Sequence, residues 1–448
     1  MRVLALIDGE HYPPVVRAAL ATLAEDHEVV AAVFAGGTEK VGHDASADAY
    51  GLPVVRGASA IDALATALVA YAPEAVVDLS DEPVLTADDR FQLASVALAA
   101  GAEYIGADFR FVPQVAEVET VTPALAIVGT GKRVGKTAIS AHAARLLTAH
   151  GSDVAVVAMG RGGPERPEVI HGESVTLTTA DLLALARKGV HAASDCYEDA
   201  IMARVTTVGC RRCGGGMAGA TFFGNVAEGA LVADGLGKDL LLLEGSGAAV
   251  PPVYADATVL VVGAAQGPSC LTGYFGPLRL ASADLVAVAG AEYPIAGPAL
   301  VDATLAAARA ARADVPVVPV VFRPRPLERV AGKRVLFATT APVALLPILA
   351  SHLETEHGCD VVAMSAGLSD RGRLLEDLRA AAGRFDVLLT ELKAAAIDVV
   401  AEAGDAAGVP VVLCDNVPHG VTCDLDGALR DVAALAVERG QGRCADGE

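Results

Sequence analysis

The sequence predicts an α/β protein of three consecutive blocks: a Rossmann-like domain, a phosphate-loop (P-loop) domain and a third α/β domain. Short apolar runs that read as buried strands alternate with Ala-rich stretches of helical periodicity, the pattern of parallel sheets covered by helices. At 448 residues the chain is too long for one ordinary hydrophobic core. Its middle carries Gly129-Thr130-Gly131-Lys132-Arg133-Val134-Gly135-Lys136-Thr137 between an apolar run and a helical pattern, the strand-turn-helix setting of a nucleotide phosphate loop.

The first block, residues 1–121, has strand patterns at 2–7, 29–34, 75–79 and 104–105, with Ala-rich helical patterns between them. Phe34-Ala35-Gly36-Gly37-Thr38 lacks the glycine spacing of a dinucleotide fingerprint. The loop Asp8-Gly9-Glu10-His11-Tyr12-Pro13-Pro14 follows the first strand, where α/β sheets bind ligands. Its Glu10 and His11 read equally as loop scaffolding or as functional groups.

The second block, 122–330, holds strand patterns at 124–128, 154–158, 240–243, 258–262, 284–289 and 317–322. In the loop, the backbone around Thr130, Gly131 and Gly135 would point N–H groups at phosphate oxygens, as helix N-termini do. Lys136 would reach the β and γ phosphates, with Lys132 as a second cation, and the Thr137 hydroxyl would ligate Mg2+. The run Asp239-Leu240-Leu241-Leu242-Leu243-Glu244-Gly245-Ser246-Gly247 ends an apolar strand in a carboxylate, which makes Glu244 the candidate second Mg2+ ligand. Lys136 and Lys132 are the candidate catalytic residues, and ATP with Mg2+ the expected co-substrate and metal. Arg161, in Met159-Gly160-Arg161-Gly162-Gly163-Pro164, and Arg211 and Arg212, between Cys210 and Cys213, sit among glycines and are the candidate substrate-anion contacts. Arg133 and Arg166 read equally as solvated arginines. The Gly-rich insertion 174–234 is expected to lie over the site. Arg323-Pro324-Arg325-Pro326 reads as an adenine-side loop or an interdomain linker.

The third block, 331–440, begins its first strand at 332–337 and continues at 387–390 and 410–414. It has no phosphate loop. Ala338-Thr339-Thr340-Ala341-Pro342 turns from strand into helix and Glu391-Leu392-Lys393 ends another strand; either faces a ligand or supports a dimer, and a homodimer is expected. The tail 441–448 reads as disordered.

Composition narrows the function classes. Hydrophobic residues make up 53% of the chain, yet the longest charge-free stretch, 257–278, is broken by glycines and prolines and reads as strand plus loop, not a membrane span. The apolar run 3–7 stops at Asp8, too early for a signal peptide, so a cytoplasmic protein is expected. Of eight cysteines only Cys210 and Cys213 are close, and no second Cys/His pair at metal-ligand spacing accompanies them; neither a disulfide framework nor structural zinc is implied. A net charge of −21 argues against nucleic acid, whereas a small polyanion needs only a local cationic pocket.

Taken in order, Ile7-Asp8-Gly9-Glu10-His11-Tyr12-Pro13, Gly37-Thr38-Glu39-Lys40, the loop from Gly129 to Thr137, Met159-Gly160-Arg161-Gly162-Gly163-Pro164, Cys210-Arg211-Arg212-Cys213-Gly214-Gly215-Gly216 and Phe337-Ala338-Thr339-Thr340-Ala341-Pro342 resemble the cyclic 2,3-diphosphoglycerate synthetase family over nearly the full length. Thr130, where the strict loop pattern has glycine, and the later Glu244-Gly245-Ser246-Gly247 also resemble dethiobiotin synthetase. The resemblance implies an ATP-dependent ligase that closes an intramolecular phosphoanhydride in 2,3-bisphosphoglycerate. Because the attacking phosphate is already an anion, no catalytic base is assigned. Two competing readings are another ATP-dependent kinase or ligase for a small acid, and a nucleotide-switched regulatory ATPase. Switch ATPases place a second lysine where this chain has Gly131, one residue before Lys132.

Overall fold

The computed structural model describes every residue except 42–48, 176, 190, 193, 393–395, 447–448 and the side chains of 444–446. The chain forms two compact units, one of Met1–Val115 with Pro268–Ser282 and Ala310–Arg312, the other of the remaining segments.

In the first unit β1 (Arg2–Ile7), β2 (Glu28–Phe34), β3 (Val54–Val55), β4 (Ala75–Asp78), β5 (Glu103–Ile105) and β6 (Arg110–Phe111) form one sheet in the order β3-β2-β1-β4-β5-β6. All pairs are parallel except β5 with β6. The doubly wound order follows from apolar strands buried on both faces, as in β1, where every residue after Arg2 is buried. Asp8, fully buried after β1, accepts from the backbone N–H groups of Glu10, His11 and Asp81 and lies 2.8 Å from His11 Nδ1. The conspicuous acid of this loop therefore anchors the turn itself. Segment 268–282 joins the unit through Phe275, whose ring meets Phe91 and Phe111 edge-on at centroid distances of 5.4 and 5.0 Å.

The second unit is built on one sheet of thirteen described strands. These are β7 (Ala124–Gly129), β8 (Val154–Gly160), β9 (Glu168–His171), β10 (Thr206–Cys213), β11 (Phe223–Gly224), β12 (Leu240–Glu244), β13 (Ala257–Gly263), β14 (Leu285–Ala289), β15 (Val317–Pro326), β16 (Arg334–Ala338), β17 (Asp360–Ser365), β18 (Val387–Glu391) and β19 (Val411–Gly420). Their order is β11-β10-β8-β12-β7-β13-β14-β15-β19-β18-β16-β17, with β9 on β10. From β10 to β15 the strands are parallel, and so are β16 to β19 among themselves; β15 meets β19 antiparallel. The carboxyl ends of β16 and β18 consequently point toward the edge that carries the phosphate loop. Leu392, Ile397 and Leu413 pack into the same apolar cluster as Leu125, Ile127 and Val259 of the loop-bearing strands.

Three expectations change. Residues 206–213, placed in a loop-like insertion, form a strand between β8 and β11, because the run Thr206-Thr207-Val208-Gly209-Cys210 is β-branched or small and fully buried. Arg323-Pro324-Arg325-Pro326 is neither loop nor linker: it extends β15 against β19, with Arg323 paired to Glu292 and Arg325 to Asp415. The tail is helical to Asp446, in a helix that begins at Leu425. Tertiary contact overrides the weak helix propensity of Gly440 and Gly442: Arg439 pairs with Asp284, and Arg443 with Asp256 and Glu119. Residues 447–448 of that tail lie outside the described residues. No described helix is long and apolar enough to cross a membrane.

Asp256 is 3% exposed and accepts from the Ala124 backbone N–H and from the Arg443 guanidinium, so this helix is tied to β7 at its root. Arg443→Ala leaves the buried carboxylate one partner short, and we expect a loss of about 1–3 kcal/mol in urea unfolding. An unchanged midpoint would show the pair to be dispensable.

Candidate active site

β7 delivers the chain into Thr130, whose backbone N–H donates to the Val261 carbonyl at 3.0 Å and whose hydroxyl lies 2.5 Å from Gln266 Oε1. Thr130 thus ties the loop to the turn after β13, work a glycine could not do. The loop ends at Gly135, at φ +99°, where a Cβ would lie 2.3 Å from the Phe322 ring. Only glycine fits that close approach and left-handed backbone. Helix Lys136–Ala149 follows with no side chain capping its N-terminus, leaving its N–H groups for an anion.

Lys136 is 7% exposed and donates to the Gly131 carbonyl at 2.8 Å, a contact that folds its ammonium back over the loop. Burial lowers its pKa to about 8, opposed by Glu244 and Asp195 and reinforced by Arg161 and Arg212. The Thr137 hydroxyl donates to Glu244 Oε1 at 2.5 Å, so the two expected metal-binding groups do meet. Lys132 is exposed and, among the described residues, makes no hydrogen bond or ion pair. Arg133 is exposed at φ +63°.

Helix Asp195–Ala203 adds two carboxylates that the sequence reading missed. Asp199 is fully buried against Glu244, and none of its oxygens, nor Glu244 Oε2, receives a donor from any other side chain or backbone group. Burial first, and then the Glu244 charge, push Asp199 well above the usual carboxylate range. Glu244 is itself raised by burial. Hard oxygens from Thr137 and Glu244 suit a hard divalent cation. The signal for the two aspartates was Ser194-Asp195 opening a helix whose every residue after Asp195 is buried, Glu198 and Asp199 included.

The arginines divide. Arg212, on β10, is 8% exposed; its guanidinium donates to the Ser246 carbonyl at 2.6 Å and to the Gly214 carbonyl at 3.1 Å, while its Nε has no partner. Arg161 is exposed and, among the described residues, makes no hydrogen bond or ion pair. A Cβ on Gly247, at φ +64°, would lie 2.5 Å from Arg161 Nη2 and 3.2 Å from Arg212 Nη2, so both guanidiniums converge on that turn. Together with Cys213, Gly214, Gly215, Gly216, Ala248 and Ala249 they line a cavity of about 440 Å3. Arg211 is not part of it. Strand alternation sends its side chain to the other face, over the Phe223 ring at 5.7 Å. The same alternation separates Cys210, buried under the helix Val226–Asp234, from exposed Cys213, and no metal-binding cluster of three or more His, Cys, Asp or Glu residues occurs among the described residues.

In the third block Glu391 accepts from the Thr339 and Thr340 hydroxyls, the Thr340 N–H and Asn416 Nδ2, all within 2.8 Å. Lys393 lies outside the described residues.

Three family models cover this chain: the N-terminal domain of cyclic 2,3-diphosphoglycerate synthetase over residues 2–112, its P-loop domain over 124–321 and its C-terminal domain over 326–417. The chain belongs to the cyclic 2,3-diphosphoglycerate synthetase family. Relatives of that name come from Rubrobacter xylanophilus, 50% identical over 100% of this chain and 99% of its own, and from Methanothermus fervidus, 44% identical over 98% of each. The synthetase of Methanothermobacter thermautotrophicus is 45% identical over 97% of this chain and 96% of its own. The P-loop model of this synthetase family covers both the loop from Gly129 and the arginine cavity.

The depressed pKa of Lys136 gives a pH dependence of defined sign. Its ammonium is charged below about 8 and lost above, and a bound triphosphate restores the charge by taking up a proton. ATP affinity in calorimetric titrations should fall as pH rises from about 8 to about 9.5, approaching tenfold per unit. Lys136→Arg should bind without that slope. A flat wild-type profile would mean that Lys136 stays charged throughout.

Proposed function

We propose that the protein closes an intramolecular phosphoanhydride in 2,3-bisphosphoglycerate, converting ATP to ADP and phosphate. The observation that carries this reading is the adjacency of two guanidiniums, one of them with no hydrogen bond or ion pair among the described residues, to the phosphate-loop lysine: Arg161 and Arg212 are close enough to shift the pKa of Lys136. A polyanion in the Arg161/Arg212 cavity would therefore meet the γ-phosphate end of a nucleotide on the loop.

One phosphate oxygen of the acid attacks the γ-phosphorus, the bond to ADP breaks, and the acid carries a linear anhydride. An oxygen of its second phosphate then attacks the inner phosphorus of that anhydride, inorganic phosphate leaves, and the ring is closed. Lys136 stabilises the charge on the transferring group, with Lys132 above the loop as a second cation. Arg212, fixed by Ser246 and Gly214, and Arg161 hold the two phosphates near each other against their repulsion, each charge-assisted contact contributing roughly 1.5–3 kcal/mol. Thr137 and Glu244 would hold Mg2+, which when bound supplies further neutralisation of the phosphate charge. Neither step requires a proton to be removed from the nucleophile. A cytoplasmic location belongs to the same reading, supported by seven described cysteines that are all free.

Two measurements test this. Arg212→Ala should bind ATP nearly as the wild type does while its affinity for 2,3-bisphosphoglycerate drops by roughly tenfold or more. Arg211→Ala should change neither, and equal losses in both variants would disprove the cavity as substrate site. With ATP, Mg2+ and 2,3-bisphosphoglycerate, the protein should release ADP and phosphate in equal amounts, and phosphorus NMR should show two phosphomonoester signals replaced by a coupled anhydride pair. A kinase would release ADP without phosphate, and a switch ATPase would leave the acid untouched; either result rejects the synthetase reading.

A further inference from the structure

The two cavity arginines leave the sheet from neighbouring strands. β8 and β10 pair in parallel up to Gly160, opposite Arg211. Beyond that pair Arg212 stays on β10, whereas Arg161 enters the segment Arg161-Gly162-Gly163-Pro164-Glu165, which lies outside the strands. The middle of this segment runs hard against β10, since a Cβ on Gly163 would lie 2.0 Å from the Cys210 carbonyl oxygen. Its far end is held by Asn225.

Asn225 stands at the N-cap of the helix Val226–Asp234, where an asparagine side chain ordinarily accepts from the first backbone N–H groups of the helix. Here it makes no such bond. Its Oδ1 accepts from the Arg211 N–H at 2.7 Å, and its Nδ2 donates to the carbonyls of Pro164 at 3.4 Å and Glu165 at 3.2 Å. Its own backbone N–H donates to the Arg211 carbonyl at 3.1 Å. The two ends of this bridge call for opposite chemistry, an acceptor for the strand N–H and a donor for the carbonyls, and a carboxamide supplies both. Aspartate would turn lone pairs toward two carbonyls, and a serine hydroxyl is too short to serve both ends. Both rank with asparagine as N-cap residues, so the helix start alone does not select asparagine.

We propose that Asn225 is a positioning residue for the Arg161/Arg212 pair: its carboxamide fixes the root of Arg161 against the strand that carries Arg212, and so sets the span between the two guanidiniums that a bisphosphate must bridge. The role rests on the reading of this cavity as the substrate site. Arg161, Gly162 and Gly163 alone separate the last ladder pair at Gly160 from the clamped Pro164 carbonyl. Two of those three are glycines, whose backbone is the least restricted, and without the clamp the ladder would restrain the segment at one end only. The Arg161 side chain has no hydrogen bond or ion pair among the described residues, so its backbone is what places it. A ligand that needs both guanidiniums would then have to order the segment on binding, at the expense of affinity. ATP on the phosphate loop does not depend on that span.

The test is calorimetric titration of the full chain carrying Asn225→Ser or Asn225→Ala, with 2,3-bisphosphoglycerate and separately with ATP, both variants being checked for native circular dichroism. Serine starts a helix as well as asparagine does, so a helix-start role predicts wild-type binding in the first variant and a loss in the second. The positioning role predicts that both lose affinity for 2,3-bisphosphoglycerate by about tenfold and that neither loses affinity for ATP. In an Arg161→Ala background the serine substitution should weaken substrate binding by less than about twofold, because no guanidinium is left there to place. Wild-type substrate affinity in Asn225→Ser, a parallel loss of ATP affinity, or losses that multiply in the double variant overturn the positioning role while leaving the cavity to the Arg212→Ala titration. Should Arg212→Ala keep its substrate affinity, the cavity as substrate site and the positioning role fall together.

Discussion

From Val320 opposite Gly420 to Pro326 opposite Cys414, β15 and β19 pair antiparallel, and this reversal orients the whole second unit. Had β19 joined in parallel, the carboxyl ends of β16 and β18 would share a direction with the phosphate loop and point past it. Reversed, they point back toward it. Side chains reinforce the junction, since Asp415, buried on β19, lies 2.9 Å from Arg145 of the loop helix and 3.0 Å from Arg325 of β15. Arg145 also donates to the Met202 carbonyl at 2.5 Å. The helix that begins at Lys136 is thereby clamped to β19 on one side and, on the other, to the helix bearing Asp195 and Asp199.

Such clamping is what an electrostatically unfinished site requires. Lys136, Asp199, Glu244 and Arg212 are all at least nine-tenths buried, and several of their polar atoms lack partners. Left to relax, groups like these would turn to water or to each other. They are kept in place by strands that are apolar and fully buried, such as β7, β8 and β12. Charge fixed in place by folding is preorganisation: the reorganisation is done during folding and need not be repeated at each turnover. The net charge of −21 does not contradict a polyanionic substrate, because screening confines its influence to roughly 8–10 Å from each surface charge whereas the cavity arginines act at contact.

Much of this was legible in the sequence, for reasons that differ by residue. The phosphate loop was readable because its chemistry is local: strand, glycines and helix follow one another from Ala124 to Ala149. Glu244 was readable for the same reason, as the end of an apolar run. Asp199 was not, because its significance arises only when helix Asp195–Ala203 is laid beside β12, and nothing in Cys196-Tyr197-Glu198-Asp199 announces that neighbour. The Cys-Arg-Arg-Cys segment was misjudged through its glycines: the three that follow Cys213 suggested a loop, while the β-branched and small residues before Cys210 decide for a strand. That difference separates Arg211 from Arg212, since a strand must send successive side chains to opposite faces. Strand β17 escaped notice altogether; its residues between the ends are only half-buried.

The two cavity arginines are held differently, and a two-step reaction makes sense of the difference. Arg212 is fixed by carbonyls on both sides, at Ser246 and Gly214, and cannot follow a moving ligand. Arg161 sits in a turn between Gly160 and Gly162 and has no hydrogen bond or ion pair among the described residues. On the proposed route the acid carries an extra phosphoryl group after the first step, and the phosphorus to be attacked in the second step is no longer the terminal one. A rigid pair would hold the first arrangement and resist the second. One fixed guanidinium can retain the phosphate that does not change, while the free one follows the charge as it moves. Gly247 permits this, for a side chain there would lodge between the two guanidiniums and fix their separation.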